Sequence, residues 1–148
     1  MNKNFFEVKN VDFKVGGKNK VNNVSFSIKK EGEIICLLGP SGIGKTTMLR
    51  TIAGLEKIDS GSIELNNKTL SSKKMNVDPE NRNISLAFQE NSLFPHYTIE
   101  KNILLGAERN KEKKEKKISL KEIINLLDIA HILNKYPHQV SAGEAQRA

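Results

Sequence analysis

Residues 32–55 read GEIICLLGPSGIGKTTMLRTIAGL and contain three patterns in succession. Its beginning, Glu33–Leu38, is an almost continuous apolar run, which is typical of a strand buried on both faces of a parallel sheet. Its end carries apolar residues at helical spacing from Met48 to Leu55, and Gly54 is a helix-stop signal. The glycine-rich segment Gly39–Thr46 lies between them. The order strand, loop, helix predicts an α/β fold.

The glycine-rich segment matches the pattern G-x-x-x-x-G-K-[ST], which cradles phosphate when it joins a strand to a helix. Glycines allow successive N–H groups to point at phosphate oxygens, and the following helix N-terminus adds positive potential. Lys45 is expected to reach the β- and γ-phosphates, and the Thr46 hydroxyl is expected to ligate Mg²⁺. The predicted nucleotide-binding residues are Gly39, Pro40, Ser41, Gly42, Ile43, Gly44, Lys45, Thr46 and Thr47.

Two alternating runs precede this segment, one ending at Val15 and one ending at Ile28, with Gly16-Gly17 between them. Their period of two predicts antiparallel strands with one wet face. A further strand is predicted around Ile63, after the Ser60-Gly61 turn, and Ile84–Phe88 is a second candidate core strand.

The last third of the sequence is predicted to be mostly helical. Thr98 can cap one helix, Ser119 with Glu122 forms a capping box for a second, and Ser141 with Glu144 forms another.

Composition narrows the possible classes of protein. The chain has 148 residues, a net charge of +7 and a single Cys36, which the surrounding apolar run predicts to be buried. No apolar run approaches the roughly 18 residues of a membrane span, and no signal peptide is visible. The tract Lys111–Lys117 supplies much of the charge without interleaved aromatic residues. It is predicted to be a solvated linker, so no nucleic-acid partner is expected.

Three segments resemble the ATP-binding cassette (ABC) ATPases that drive membrane transporters: Val24–Thr47, Asn83–Ile103 and Tyr136–Arg147. The resemblance covers nearly the whole chain and implies a P-loop NTPase core with an N-terminal antiparallel β subdomain and a helical subdomain, incomplete at the C-terminus. It places the β subdomain and P-loop core at approximately residues 1–90 and the helical subdomain at approximately 91–148. It also implies ATP and Mg²⁺ as cofactors.

The resemblance assigns further roles residue by residue. Gln89 corresponds to the family glutamine that contacts Mg²⁺ or the attacking water, and His96 with Tyr97 to the stretch facing the membrane subunit. Val15 occupies the position of the aromatic residue that stacks on adenine, and Phe13 is the nearest aromatic substitute. The signature segment corresponds to Ser141, Ala142, Gly143 and Glu144.

Three of these positions depart from the family pattern. Glu144 replaces the commoner glutamine of the signature, and glutamate also occurs there in functional relatives. Val15 replaces the stacking aromatic residue, so weakened adenine binding is expected. Ala142 replaces the usual first glycine of the signature, which adds a methyl group where the backbone approaches phosphate.

In the family, the catalytic carboxylates and the switch histidine follow the signature. They are therefore expected beyond Ala148, and no catalytic residue is expected within this chain. The partner strands of Glu33–Leu38 would also follow the signature, so apolar strand surface is expected to lie uncovered. Phe88, Leu93 and Phe94 are predicted to be core residues with no chemical role.

The resulting hypothesis is an ATP-binding subunit of a bacterial importer, peripheral on the cytoplasmic face of the membrane. In a complete dimer it would couple ATP hydrolysis to movement of a small solute, such as sulfate, molybdate or tungstate. The implied partners are permease subunits, a second ATP-binding subunit and, indirectly, a substrate-binding protein. The alternatives are a nucleotide-binding fragment without hydrolysis, or a soluble ABC ATPase acting on nucleic acid or ribosomes.

Overall fold

The computed structural model describes residues 4–17, 19–88, 92–109 and 119–148. The chain divides into two compact units, Met1–Leu86 and Ala87–Ala148. The predicted linker Lys111–Lys117 lies outside the described residues, so its interpretation as a solvated tract remains a prediction.

The first unit contains five strands and one helix: β1 (Phe6–Val15), β2 (Asn19–Ile28), α1 (Lys45–Ile52), β3 (Ser60–Leu65), β4 (Lys68–Ser72) and β5 (Met75–Asn76). The second unit contains three α-helices: α2 (Ile99–Arg109), α3 (Leu120–Leu126) and α4 (Ala142–Arg147). Short 3₁₀ turns occur at Pro79–Asn81, Ala130–Ile132 and Pro137–Gln139.

The five strands form one antiparallel sheet in the order β2-β1-β3-β4-β5. In β1 the buried positions shift from Phe6 and Val8 to Val11 and Phe13, because a bulge adds a residue between the two pairs. Asn10 lies in the bulge with a φ of 48°, and its backbone N–H donates to Ser25 Oγ at 2.9 Å. The predicted antiparallel strands with one buried face are therefore confirmed.

The two predicted core strands are not strands in the structure, and this part of the prediction is wrong. Glu33–Leu38 and Ile84–Phe88 form no ladder with any described residue. Ile34 and Leu38 are 95% and 86% exposed, and Phe88 is 44% exposed. A β-strand requires a neighbour to satisfy its backbone groups, and an apolar sequence alone cannot supply one. The exposure agrees with the expectation of uncovered apolar surface.

Cys36 lies in the same segment and is exposed, so its predicted burial is also wrong. The prediction assumed that Glu33–Leu38 would be covered on both faces. Without a paired strand on either side in the described chain, the thiol stays at the surface.

The second unit follows the predicted capping signals closely. The Lys101 N–H donates to Thr98 Oγ1 at 3.3 Å at the start of α2, and both predicted capping boxes are formed. Ile99, Ile129 and Ile132 form its buried core. Phe94 is 52% exposed, so its predicted place in the core is wrong. None of the helices in the described ranges is long and apolar enough to span a membrane.

Candidate functional site

The glycine-rich loop leads directly into α1, as the sequence predicts. Gly39, Gly42 and Gly44 have φ values of 151°, 82° and 105°, a region that side-chain-bearing residues rarely adopt. Gly44 is the N-cap of α1, and the Met48 N–H donates to its carbonyl at 2.8 Å. The loop therefore has the left-handed conformations that a phosphate-cradling backbone needs.

The Lys45 side chain folds back over this loop. Its Nζ donates to the carbonyl oxygens of Gly39 at 2.7 Å and Pro40 at 2.8 Å. These contacts place a positive charge over the loop at the N-terminus of an eight-residue helix, where the helix dipole also favours an anion. Thr46 is exposed and Thr47 is half-buried in the same first turn. The arrangement is suited to binding the phosphates of a nucleotide.

Val15 packs directly against the end of the loop. A Cβ placed on Gly44 would lie 2.9 Å from Val15 Cγ2 and 3.4 Å from Phe13 Cε2. Phe13 is only 2% exposed and belongs to the core of the first unit. Its ring has no free face for a base, so the suggestion that it substitutes for the stacking aromatic is wrong. Val15 lies against the end of the loop but supplies no aromatic face, and its place beside adenine stays a prediction.

Arg82 anchors the other end of α1, and sequence reasoning did not identify it. Its guanidinium is 1% exposed and donates to the Thr51 carbonyl at 3.2 Å and to the Ile52 carbonyl at 2.9 Å. It also donates to the carbonyls of Val77 and Leu70 and to Ser71 Oγ and Asn76 Oδ1. Burial lowers the Arg82 pKa. The cation thus ties the C-terminus of the loop helix to strands β4 and β5.

The predicted metal ligands are only partly described. Thr46 lies at the start of α1, whereas Gln89 lies outside the described residues. Across the described ranges, no group of three or more His, Cys, Asp and Glu side chains could hold a metal ion. Mg²⁺ commonly binds through substrate phosphates with one or two protein oxygens. The exposed Thr46 hydroxyl, beside a loop suited to phosphate, fits that mode of binding.

The predicted signature segment forms the start of α4. The Glu144 N–H donates to Ser141 Oγ at 3.2 Å, while Glu144 Oε2 accepts from the Ser141 N–H and Oγ, both at 2.7 Å. These hydrogen bonds, the backbone one first, hold the Glu144 pKa at about 2, below its ordinary 4.5. Ala142 and Gly143 are exposed, and a Cβ on Gly143 would meet no atom within 4 Å.

Glu144 has another partner that the sequence did not indicate. Its Oε1 lies 2.9 Å from His131 Nε2. The two residues are 13 positions apart, and no motif spacing connects them.

An aromatic loop precedes α2 where the membrane-facing stretch is predicted. The His96 and Tyr97 rings lie 4.3 Å apart between centroids, and Lys101 Nζ lies 4.1 Å from the centre of the Tyr97 ring. Asn102 closes the loop, since its Oδ1 accepts from the Phe94 N–H at 2.7 Å and its Nδ2 donates to nearby carbonyls. The loop thus displays aromatic rings on a fixed backbone.

Comparison with known proteins identifies the family of this chain. A family model described as ABC transporter matches residues 21–148. The Fe(3+) ions import ATP-binding protein FbpC of Fusobacterium nucleatum subsp. nucleatum is 37% identical, over 95% of this chain and 37% of its own length. The sulfate/thiosulfate import ATP-binding protein CysA of Pseudomonas syringae pv. tomato is 40% identical, over 95% of this chain and 43% of its own.

A third relative is the spermidine/putrescine import ATP-binding protein PotA of Nitrosospira multiformis, which is 39% identical over 95% of this chain and 38% of its own length. The chain therefore spans about two fifths of the length of the curated relatives it matches.

A solved structure with a similar fold is also an ATP-binding protein. The dimeric ATP-binding cassette MJ0796, in a post-hydrolysis state bound to ADP and Pi, matches with a TM-score of 0.72 at 28% identity. That match covers 96% of this chain and 66% of the cassette. Because the family model matches residues 21–148, the chain belongs to the ABC transporter family of ATP-binding proteins.

Proposed function

We propose that this chain supplies the nucleotide-phosphate site of an importer ATP-binding subunit. The observation that carries the proposal is the phosphate loop, where Lys45 lies over left-handed glycines at the start of α1. Gly39–Thr47 would surround the phosphates of ATP, and Thr46 with Gln89 would complete the coordination of Mg²⁺. The magnesium ion would neutralise phosphate charge, which is its usual contribution to phosphoryl transfer.

The adenine side of this site is expected to be weak. Val15 lies against Gly44 but lacks an aromatic face, and Phe13 is buried. Base–aromatic stacking is worth about 1–3 kcal/mol, so phosphate contacts would carry a larger share of the affinity.

Hydrolysis is proposed to require more than this chain. General-base or water-orienting groups position the nucleophile in phosphoryl transfer, and the family carboxylates follow the signature. Ser141, Ala142, Gly143 and Glu144 would meet the nucleotide held by a second ATP-binding subunit. Their capped helix start provides the backbone geometry for that role.

The partner of the aromatic loop is proposed to be a permease subunit at the cytoplasmic face of the membrane. Phe94 is half-exposed, and Asn102 fixes the backbone that presents it together with His96 and Tyr97. Exposed aromatic side chains on a fixed backbone are typical of protein interfaces. A substrate-binding protein would act on the permease and only indirectly on this chain.

Import is the proposed direction because the relatives described above are named as import proteins. Their names include a metal cation, polyamines and an oxyanion at similar identities. The sulfate-like solute suggested by the sequence is therefore not favoured over these others, and no solute is proposed.

Measuring phosphate release from Mg·ATP tests whether this chain hydrolyses ATP or only binds it. The purified chain is expected to release phosphate no faster than its Lys45→Ala variant, which serves as the control for contaminating ATPases. Turnover by the wild-type chain that Lys45→Ala abolishes would show that the catalytic machinery lies within these 148 residues.

A further inference from the structure

The contact between His131 and Glu144 joins two elements of the second unit. His131 lies in the 3₁₀ turn Ala130–Ile132, whose Ile132 is fully buried in the core of that unit. Glu144 lies in the first turn of α4, and the following Ala145 is 6% exposed. The pair therefore links a turn fixed by the core to the helix that carries the predicted signature.

The charge state of Glu144 sets the direction of this hydrogen bond. An ionised carboxylate only accepts hydrogen bonds, so at 2.9 Å the proton must lie on His131 Nε2. A glutamine at residue 144 would not impose this requirement, since its amide can also donate. The carboxylate thus excludes the neutral form of the imidazole ring that carries its proton on Nδ1.

The two carboxylate oxygens of Glu144 contact different residues. Oε1 faces His131, while Oε2 accepts both the N–H and the hydroxyl proton of Ser141. The contact between Oε1 and His131 fixes the plane of the carboxylate. Oε2 therefore remains hydrogen-bonded to Ser141 and sets the direction of the Ser141 hydroxyl proton. His131 therefore influences the serine without touching it.

The contacts of α4 with the rest of the second unit are of two kinds. Val140 and Ala148, which flank the helix, pack against the core of that unit, and Ala145 within the helix is buried. Among the described residues, the bond to His131 is the one side-chain hydrogen bond joining α4 to another element.

We propose that His131 is a positioning residue for the signature segment, acting through Glu144 to fix the start of α4 and the hydroxyl direction of Ser141. The functional meaning of the inference rests on the proposed function, since Ser141 matters for turnover only if it meets a nucleotide. The positioning itself is a property of the second unit and can be measured without nucleotide.

Nitrogen-15 NMR of the full chain tests the direction of the hydrogen bond. In the pH range where the ring is neutral, His131 is expected to carry its proton on Nε2, and Glu144→Gln is expected to weaken that preference to the level of a ring in free solution. His138, which stacks on Tyr136, serves as the internal control and should not change. A neutral His131 protonated on Nδ1 in the wild-type chain would overturn the inference.

Amide hydrogen exchange tests the positioning. His131→Ala is expected to speed exchange of the Glu144 and Ala145 amides by about two- to fivefold, the range for an exposed charged pair. His131→Gln keeps a donor and should restore most of the protection. The matched control is the Glu122 amide, which has the same capping box in α3, formed within residues 119–122. Equal exchange at Glu144 in wild type and His131→Ala would overturn the proposal.

Nucleotide titration of the same variants separates this inference from the proposed function. His131→Ala should bind Mg·ATP as the wild-type chain does, because the phosphate loop lies in the other unit. Failure of the exchange effect with nucleotide binding intact overturns the positioning role alone. Failure of nucleotide binding with the exchange effect intact overturns the proposed function alone.

Discussion

At the scale of single residues, glycine 44 is the most constrained position in the phosphate loop. It has a φ of 105°, and an added Cβ would lie 2.9 Å from Val15 Cγ2. Both the backbone and the space around it therefore require glycine. Lys45 follows immediately, so any shift at Gly44 moves the lysine away from the loop carbonyls.

We expect Gly44→Ala to weaken Mg·ATP binding by at least about tenfold, equivalent to about 1.4 kcal/mol. The strained backbone and the contact with Val15 would displace the first turn of α1. Lys68→Ala is the control, because Lys68 is an exposed residue of β4 outside the proposed nucleotide site. Fluorescence titration with an ATP analogue measures the affinity, and equal affinity in Gly44→Ala would contradict the assigned geometry.

Glu144 makes a pH-dependent contribution to the stability of α4. Its folded-state pKa of about 2 lies below the ordinary 4.5, so the ionised form is favoured by folding. The stabilisation is complete above about pH 4.5 and is lost as the pH falls through about 2. We expect a carboxyl carbon-13 titration of Glu144 to have its midpoint near pH 2.

Ser141→Ala is the matched variant for this titration. It removes the hydroxyl contact but keeps the Ser141 backbone N–H that contributes most to the lowered pKa of Glu144. The midpoint should then rise partway towards 4.5. A wild-type midpoint at 4.5 would mean that the capping box does not hold the carboxylate in solution.

At the scale of elements, the Arg82 network decides how firmly α1 is held. The five N–H groups of one buried guanidinium reach six acceptor atoms and join the end of α1 to β4, β5 and Val77. Gly54 permits this approach, because a side chain there would collide with Arg82 Nε. The phosphate loop is thus supported from the far end of its own helix.

Arg82→Met is expected to lower the free energy of unfolding by about 3–5 kcal/mol, because it leaves several buried acceptors without a donor. Arg82→Lys should not rescue it, since an ammonium cannot reproduce the planar fork. Arg50→Met removes an exposed pair with Glu56 and should cost no more than about 1 kcal/mol. Urea unfolding followed by circular dichroism measures all three, and equal costs at residues 82 and 50 would contradict this role.

The sequence correctly predicted the helix starts, because these are stabilised by residues that lie close together in the chain. The starts of α1, α2, α3 and α4 follow from glycine or from Ser, Thr and Glu caps within four residues. The strand prediction for Glu33–Leu38 was wrong because a ladder depends on a distant neighbour that composition does not reveal. Arg82 and His131 were missed because their partners lie far away in sequence.

At the scale of the whole molecule, the first unit has an uncovered apolar face. Ile34 and Leu38 are almost fully exposed, and Ile35 and Leu37 line an apolar cavity of about 350 Å³ with Leu49 and Ile52. Exposed contiguous apolar surface favours association. The solved cassette MJ0796 is longer than this chain, and the match covers 66% of it.

We expect the chain to self-associate through this face, and the double variant Ile34→Ser with Leu38→Ser to reduce association. Sedimentation velocity over a range of concentrations measures the effect. Leu126→Ser, which changes an 80% exposed side chain in the helical unit, is the control and should have less influence. Unchanged association in the double variant would show that other surfaces cause it.

Gly39–Thr47 is proposed to bind nucleotide phosphates through Lys45. Isothermal titration of Mg·ATP into the folded chain, the Lys45→Ala variant and the exposed-lysine control Lys68→Ala measures this binding. We predict binding by the wild-type chain and by Lys68→Ala, with affinity reduced by at least about tenfold in Lys45→Ala, as expected for loss of a charge-assisted contact. Equal affinity in Lys45→Ala, or no binding by the folded wild-type chain, would show that Gly39–Thr47 does not bind nucleotide phosphates through Lys45.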